Sequence, residues 1–199
     1  ILIVNFKTYE QATGLKAEKL AKAIQKAALE EEKNVAVAVQ AADLYRVATS
    51  VNIPILAEHL DPDTAGSHTG KVIAEDIKQN GAIGTLLNHS EDRYRIDVLE
   101  AAIDRAKNAK LITVVCANND EIAESIKAFN PDFIAVEPPE LIGGNISVSK
   151  AKPDLIKTAV EKVGSIPLLV GAGVKTAEDV RVAMELGAKG VLLASGITK

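Results

Sequence analysis

Gly84-Thr85-Leu86-Leu87-Asn88-His89-Ser90-Glu91 is the stretch that decides the fold. Its first four residues form a short run without the polar alternation of a half-exposed strand, as a parallel strand covered on both faces requires. The run ends on an imidazole and a carboxylate just ahead of a helical pattern. In an α/β barrel that position, the carboxyl end of a strand, is where chemistry is kept.

On either side of this stretch the same kind of run recurs, at Ile1–Phe6, Val35–Val39, Ile55–Ala57, Leu111–Cys116, Phe133–Val136, Leu168–Gly171 and Gly190–Leu193. Helical patterns separate the runs: Gly14–Glu32, Ala42–Ser50, Ala74–Asn80, Arg95–Asn108, Asp120–Phe129, Pro153–Val163 and Thr176–Leu186. Asn119 or Asp120 supplies an N-cap, Pro153 suits a first turn, and Thr176 precedes Glu178 and Asp179 at a helix start. Strict βα alternation predicts an α/β fold, a (β/α)₈ barrel in a single domain over residues 1–199, ahead of a doubly wound open sheet. After the last run only Ala194–Lys199 remain, too few for an eighth outer helix. The barrel is therefore expected to lack that helix and to leave apolar surface on its first and seventh helices and on the outside of its eighth strand.

A hydrophobic fraction of 47% in 199 residues supports one sizeable core, and no stretch is long and apolar enough to span a bilayer. With 27 acidic and 23 basic residues the net charge is −4, and the basic residues are scattered, which excludes nucleic acid and membrane surfaces as partners. Cys116 is the single cysteine, so no internal disulfide forms and a cytoplasmic setting is the default. An aromatic content of 3% leaves little for recognition by stacking, so the ligand is expected to be held by charge and backbone.

Three strand ends carry the reactive groups. Glu137 precedes Pro138-Pro139, whose fixed φ delivers the carboxylate from a stiff, extended hinge. Leu141-Ile142-Gly143-Gly144 then closes the loop with flexible residues, and a stiff hinge, an apolar tip and a Gly-rich hinge describe a closing lid. His89 is expected to be a neutral, hydrogen-bond-donating imidazole, because a helix starting near Ser90 would disfavour the imidazolium. Lys7 ends the first strand and points into the same barrel mouth, where an ammonium neutralises a phosphate and polarises a carbonyl. Gly171-Ala172-Gly173 and Ala194-Ser195-Gly196 end the seventh and eighth strands, the two loops with which such barrels hold phosphate through backbone N–H groups. His59 and His68 lie in a long segment after the third strand that reads as a polar loop meeting a partner subunit, with no metal, and Cys116 as a small core residue.

Asn5-Phe6-Lys7, His89-Ser90-Glu91, Ala135-Val136-Glu137-Pro138 with the lid through Gly143, and Gly190–Gly196 together resemble the triosephosphate isomerase family, whose fold is the TIM barrel. Asp61-Pro62, Gly66–Gly70 and Gly171-Ala172-Gly173 are similar to its short archaeal form. For that family a Glu base and a neutral His electrophile are the established assignment. The resemblance implies that Glu137 moves a proton between C1 and C2 of a three-carbon phosphosugar while His89 polarises the carbonyl. Lys7 would hold developing charge and Asn5 would orient both substrate and Lys7. N–H groups around Gly143, Gly173, Ala194, Ser195 and Gly196 would grip the phosphate, with Ile142 closing over it. It further implies a cofactor-independent and metal-free enzyme of glycolysis and gluconeogenesis, active on a small triose phosphate and assembled as a homodimer or homotetramer. Two departures stand out. The lid's second hinge reads Gly143-Gly144-Asn145 where the family has Gly-Thr-Gly, and Lys71 and Asp92 occupy the places of a Glu–Arg pair, suggesting a charge-reversed pair. The rival readings are another phosphosugar isomerase or epimerase, and a barrel that binds a phosphometabolite or partner without turnover.

Overall fold

The computed structural model describes residues 1–144 and 146–199. Among them, eight parallel strands close into a barrel in chain order: β1 (Leu2–Asn5), β2 (Val35–Val39), β3 (Ile55–Ala57), β4 (Gly84–Leu87), β5 (Ile112–Ala117), β6 (Phe133–Val136), β7 (Leu168–Val170) and β8 (Gly190–Leu193). Leu2 pairs with both Val35 and Val191, so β1 joins its two neighbours and the sheet has no edge. The helices are α1 (Leu15–Glu30), α2 (Leu44–Ala48), α3 (Ala74–Gln79), α4 (Ile96–Asn108), α5 (Asp120–Lys127), α6 (Val148–Ala151), α7 (Pro153–Val163), α8 (Ala177–Glu185) and α9 (Ser195–Thr198).

Two buried layers arise from the period of two along each strand. Ile3, Ala36, Ala38, Leu56, Leu86, Val114, Cys116, Ala135, Leu169 and Leu192 fill the barrel interior. Their strand neighbours, Val4, Val37, Val115, Val136 and Val191 among them, face outward and meet the helices. Helix α1 answers with Ala17, Ala21, Ile24 and Ala28, and α4 with Leu99, Ala102, Ile103 and Ala106, one stripe each at helical spacing. Small alanines on α1 let the helix lie close to the sheet. Capping fixes the helix starts as the sequence predicts: Asn119 Oδ1 accepts from Ile122 N (2.8 Å), Pro153 opens α7, and Thr176 with Asp179 forms a capping box on α8.

After β8 the chain makes only the single turn α9. It lies between α1 and α8, and apolar surface shows on both sides of it. One side is a groove of about 370 Å³ lined by Leu2, Val4, Leu20, Ile24 and Ile197; the other is a depression among Val174, Val180, Leu193 and Ile197. None of the described helices is long and apolar enough to cross a membrane.

Candidate active site

Continuing the inward phase of each strand by two residues leads directly to the barrel mouth. Ile3 is followed inward by Asn5, Leu56 by Glu58, Ala135 by Glu137, Leu169 by Gly171 and Leu192 by Ala194. Asn5 and Glu137 are buried.

Two residues leave the strand path by adopting the left-handed conformation, Lys7 (φ +49°) and Asn88 (φ +59°). Each costs about 1–2 kcal/mol in a non-glycine residue and persists because neighbouring bonds fix it. At Lys7, Asn5 Oδ1 accepts the main-chain N–H at 3.1 Å. At Asn88 the side chain donates to Cys116 O (3.0 Å) and accepts from Tyr94 N (3.2 Å). The turn at Asn88 brings His89, otherwise on the outward phase of β4, over the mouth.

His89 Nε2 and Glu137 Oε2 face each other at 3.4 Å. Both atoms are buried and neither makes a hydrogen bond. The Glu91 main-chain N–H donates to His89 Nδ1 at 3.2 Å, which assigns the imidazole proton to Nε2, on the side of Glu137. Burial and the charge of Lys7 hold the His89 pKa below its ordinary value. The neutral imidazole agrees with the sequence reading, but the cause differs. No helix begins at Ser90: a turn intervenes and α4 starts at Ile96, so a helix dipole is not what sets the charge state. Burial pushes Glu137 up to about 7, against the opposing influence of Lys7 and the Cys116 thiol. Cys116 is itself buried inside the barrel, as a small core residue. Lys7 Nζ reaches Glu91 Oε1 at 2.6 Å across the mouth.

Asn5, Lys7, His89, Glu137, Ile142, Gly143, Gly173, Ala194 and Ser195 line one cavity, with Tyr9, Ala172 and Val174. Gly171 and Gly173 are glycines for different reasons. A Cβ on Gly171 would collide with the Glu137 carboxyl group and Leu192 O; Gly173 has φ +69° and lies against Ile146 O and the Ser147 backbone. Gly196 is the one sequence-predicted site residue outside this cavity: it packs under Val174 O (3.0 Å from an added Cβ) and borders the apolar depression beside α9. Beyond Glu137 the chain makes a tight turn, Pro139–Leu141, whose Glu140 pairs with Lys152. Of the altered hinge, Asn145 lies outside the described residues, while Gly143 has φ +72°.

Sequence reasoning missed Glu58 and left Glu91 without a role. Glu58 lines an adjoining cleft of about 430 Å³ with Lys7, His89, Glu91 and Asp92. Its position two residues beyond the interior Leu56 was the available signal. Burial and the nearby carboxylates Glu91 and Asp43 raise Glu58 to about 8, although the Lys7 backbone and ammonium oppose this. Because this folded value exceeds the ordinary 4.5 of the unfolded chain, the associated stability is complete below pH 4.5 and is lost as pH rises toward 8. Glu58→Gln is accordingly expected to melt higher than the parent at pH 9 and alongside it at pH 4; an equal or lower melting temperature at pH 9 would show that the buried carboxyl costs nothing.

The segment after β3 is a network of short polar contacts. His59 meets Asp92 (2.9 Å), Asp61 (3.3 Å) and the Tyr94 hydroxyl (2.9 Å), and stacks on the Tyr94 ring. His68 pairs with Asp63 at 3.4 Å. The direct Lys71–Asp92 pair suggested by the sequence does not form. Lys71 turns to Asp61 (2.8 Å), whose second oxygen accepts from Val72 N, and Asp92 is taken by His59. Among the described residues no group of three or more His, Cys, Asp or Glu is arranged to hold a metal.

The family model described as triosephosphate isomerase matches residues 1–199. The triosephosphate isomerase of Methanobacterium bryantii is 49% identical, over 99% of this chain and 89% of its own length. That of Methanocaldococcus jannaschii is 45% identical, over 100% of this chain and 93% of its own. In three dimensions the barrel superposes on the crystal structure of triosephosphate isomerase from Bartonella henselae with a TM-score of 0.76. That likeness covers 100% of this chain and 93% of the other, and at 19% identity it concerns the fold. Fold and sequence agree, and the chain belongs to the triosephosphate isomerase family.

Proposed function

We propose that the chain interconverts dihydroxyacetone phosphate and D-glyceraldehyde 3-phosphate by carrying one proton between C1 and C2, with Glu137, His89 and Lys7 as the reacting groups. The observation that carries this reading is the pair of buried, unbonded atoms Glu137 Oε2 and His89 Nε2, 3.4 Å apart beside Lys7. Removing a proton next to a carbonyl generates an enediolate, so the site must supply a base, an electrophile and exclusion of water. Glu137, raised to about 7, is a base matched to neutral pH. The His89 Nε2–H donates toward the carbonyl oxygen as it gains charge, and the Lys7 ammonium stabilises the same oxygen electrostatically. Asn5 holds Lys7 through its main-chain N–H. Backbone N–H groups around Gly143, Gly173, Ala194, Ser195 and Gly196 take the phosphate. Ile142 and Gly143 close over the intermediate, so that it is reprotonated before it can expel phosphate.

A coupled isomerase assay run in D₂O tests the reading. Turnover with deuterium appearing at the carbon beside the carbonyl supports it. Phosphate binding without turnover, or metal-dependent epimerisation, would replace it with one of the two rivals. The same reading includes a cytoplasmic homodimer or homotetramer, with contact through the exposed tip Thr64–Gly70, whose base the Lys71–Asp61 pair ties down. Light scattering checks the assembly.

A further inference from the structure

Asp179 is buried, and its two carboxylate oxygens serve different parts of the molecule. Oδ1 accepts from the Ser147 hydroxyl (2.9 Å) and the Lys150 ammonium (2.7 Å), both on the segment where the lid returns to the barrel. Oδ2 accepts from the main-chain N–H groups of Thr176 (3.0 Å) and Lys175 (3.2 Å), at the end of the strand-7 loop. Ser149, hydrogen-bonded to Ser147 at 3.1 Å, also donates to the Asp179 carbonyl at 3.1 Å. A parallel tie runs from Val148 N to Ala172 O at 3.1 Å. Gly173, in the cavity wall, lies between these ties against Ile146 and Ser147.

We infer that Asp179 is a positioning residue for the reaction, the knot that holds the lid's return segment and the strand-7 loop in one fixed frame. It touches no reacting atom and acts through Ser147 on one side and the Lys175–Thr176 backbone on the other. A helix cap alone would need only the second set of bonds; the Ser147 and Lys150 bonds to Oδ1 are what join it to the lid. The Lys150 ammonium and the hydrogen bonds from Lys175, Thr176 and Ser147 hold Asp179 far below the ordinary carboxylate range despite its burial. The frame is therefore insensitive to pH across the working range. Because the strand-7 loop carries part of the phosphate grip, the two sides of the knot have separable consequences: loosening Oδ2 weakens anion binding, and loosening Oδ1 slows lid-dependent turnover.

This inference rests on the isomerase reading, and inorganic phosphate as a competitive ligand separates the two. Asp179→Asn weakens a charge-assisted network and is expected to raise KM and the phosphate inhibition constant about tenfold or more. Ser147→Ala leaves the Oδ2 bonds in place and is expected to lower kcat several-fold while changing phosphate binding by less than about twofold. The pH profile is expected to stay that of the parent in both. Should Asp179→Asn fail to fold, Ser147→Ala decides alone: an unchanged kcat overturns the proposal. So does a lowered melting temperature in either variant with KM, kcat and phosphate binding all at parental values, which is the result of a merely structural cap. A parent that binds phosphate but turns over no triose phosphate would instead overturn the isomerase reading.

Discussion

Glu137→Gln is expected to lower kcat/KM by about 10²- to 10⁴-fold, the range associated with a positioned general base, and at the same time to stabilise the fold at neutral and alkaline pH. Both effects have one origin. Glu137 is buried against Gly171, with Oε2 unbonded, and burial raises it to about 7. The unfolded chain releases this proton near 4.5, whereas the folded chain retains it to about 7. Stability contributed by the protonated form is thus complete below pH 4.5 and lost as pH rises through 7. At pH 8 the ionised carboxylate costs on the order of 3 kcal/mol at most, and glutamine, which does not ionise, avoids that cost. Denaturant melts at pH 4 and pH 8 measure it. The variant is expected to exceed the parent at pH 8 and match it at pH 4, and a variant less stable at pH 8 would show that Glu137 is not held at a cost to the fold. In the parent, kcat/KM is expected to fall as pH drops through about 7, because the base must be ionised to take the proton. Glu137→Asp keeps the charge but withdraws it by one methylene from the reacting carbon, and about 10²-fold is expected to be lost to misplacement alone.

The fold was legible because its periodic features are strong. Val35–Val39, Ile55–Ala57, Gly84–Leu87, Phe133–Val136 and Gly190–Leu193 begin and end where the unbroken apolar runs do, and Pro153–Val163 is bounded by its proline and by Gly164. What periodicity cannot show is a turn of four residues, too short for a stripe. The helix Val148–Ala151 is therefore not legible in the sequence, and Ala42–Ser50 resolves into a 3₁₀ turn followed by a five-residue helix. At the site, Lys7, His89 and Glu137 were visible as reactive residue types at strand ends. The manner of their delivery was not, since the left-handed turns at Lys7 and Asn88 are fixed by particular hydrogen bonds, such as the one from Asn88 across to Cys116 on β5. Gly196 follows Ser195 in the single turn α9, which periodicity could not show because four residues are too few for a stripe. The Lys71–Asp92 pairing failed for a different reason. A sequence shows that opposite charges are available but not that Asp61 lies nearer to one and His59 to the other.

Lys7→Met is expected to cost about 10²- to 10³-fold in kcat/KM, as the loss of a preorganised cation beside developing negative charge does, and to move the titration of both Glu137 and His89. Methionine matches the lysine stem in length and meets the same backbone requirement at φ +49°, which Asn5 continues to hold. The broken pair with Glu91 matters little to stability, because Glu91 is 56% exposed and solvent accepts its charge. The electrostatic consequence is larger. The Lys7 ammonium favours the ionised form of Glu137 and disfavours the protonated form of His89. Removing it therefore raises both, and the acid limb of kcat/KM is expected to move from about 7 to higher pH. A variant that merely lost substrate affinity would show a higher KM with the limb unmoved, and that outcome would separate Lys7 from the charge balance of the site. An acid limb displaced upward, with histidine titration by NMR displaced in the same direction, would mean that one ammonium at the end of the first strand keeps the base ionised and the electrophile neutral in the same pH window.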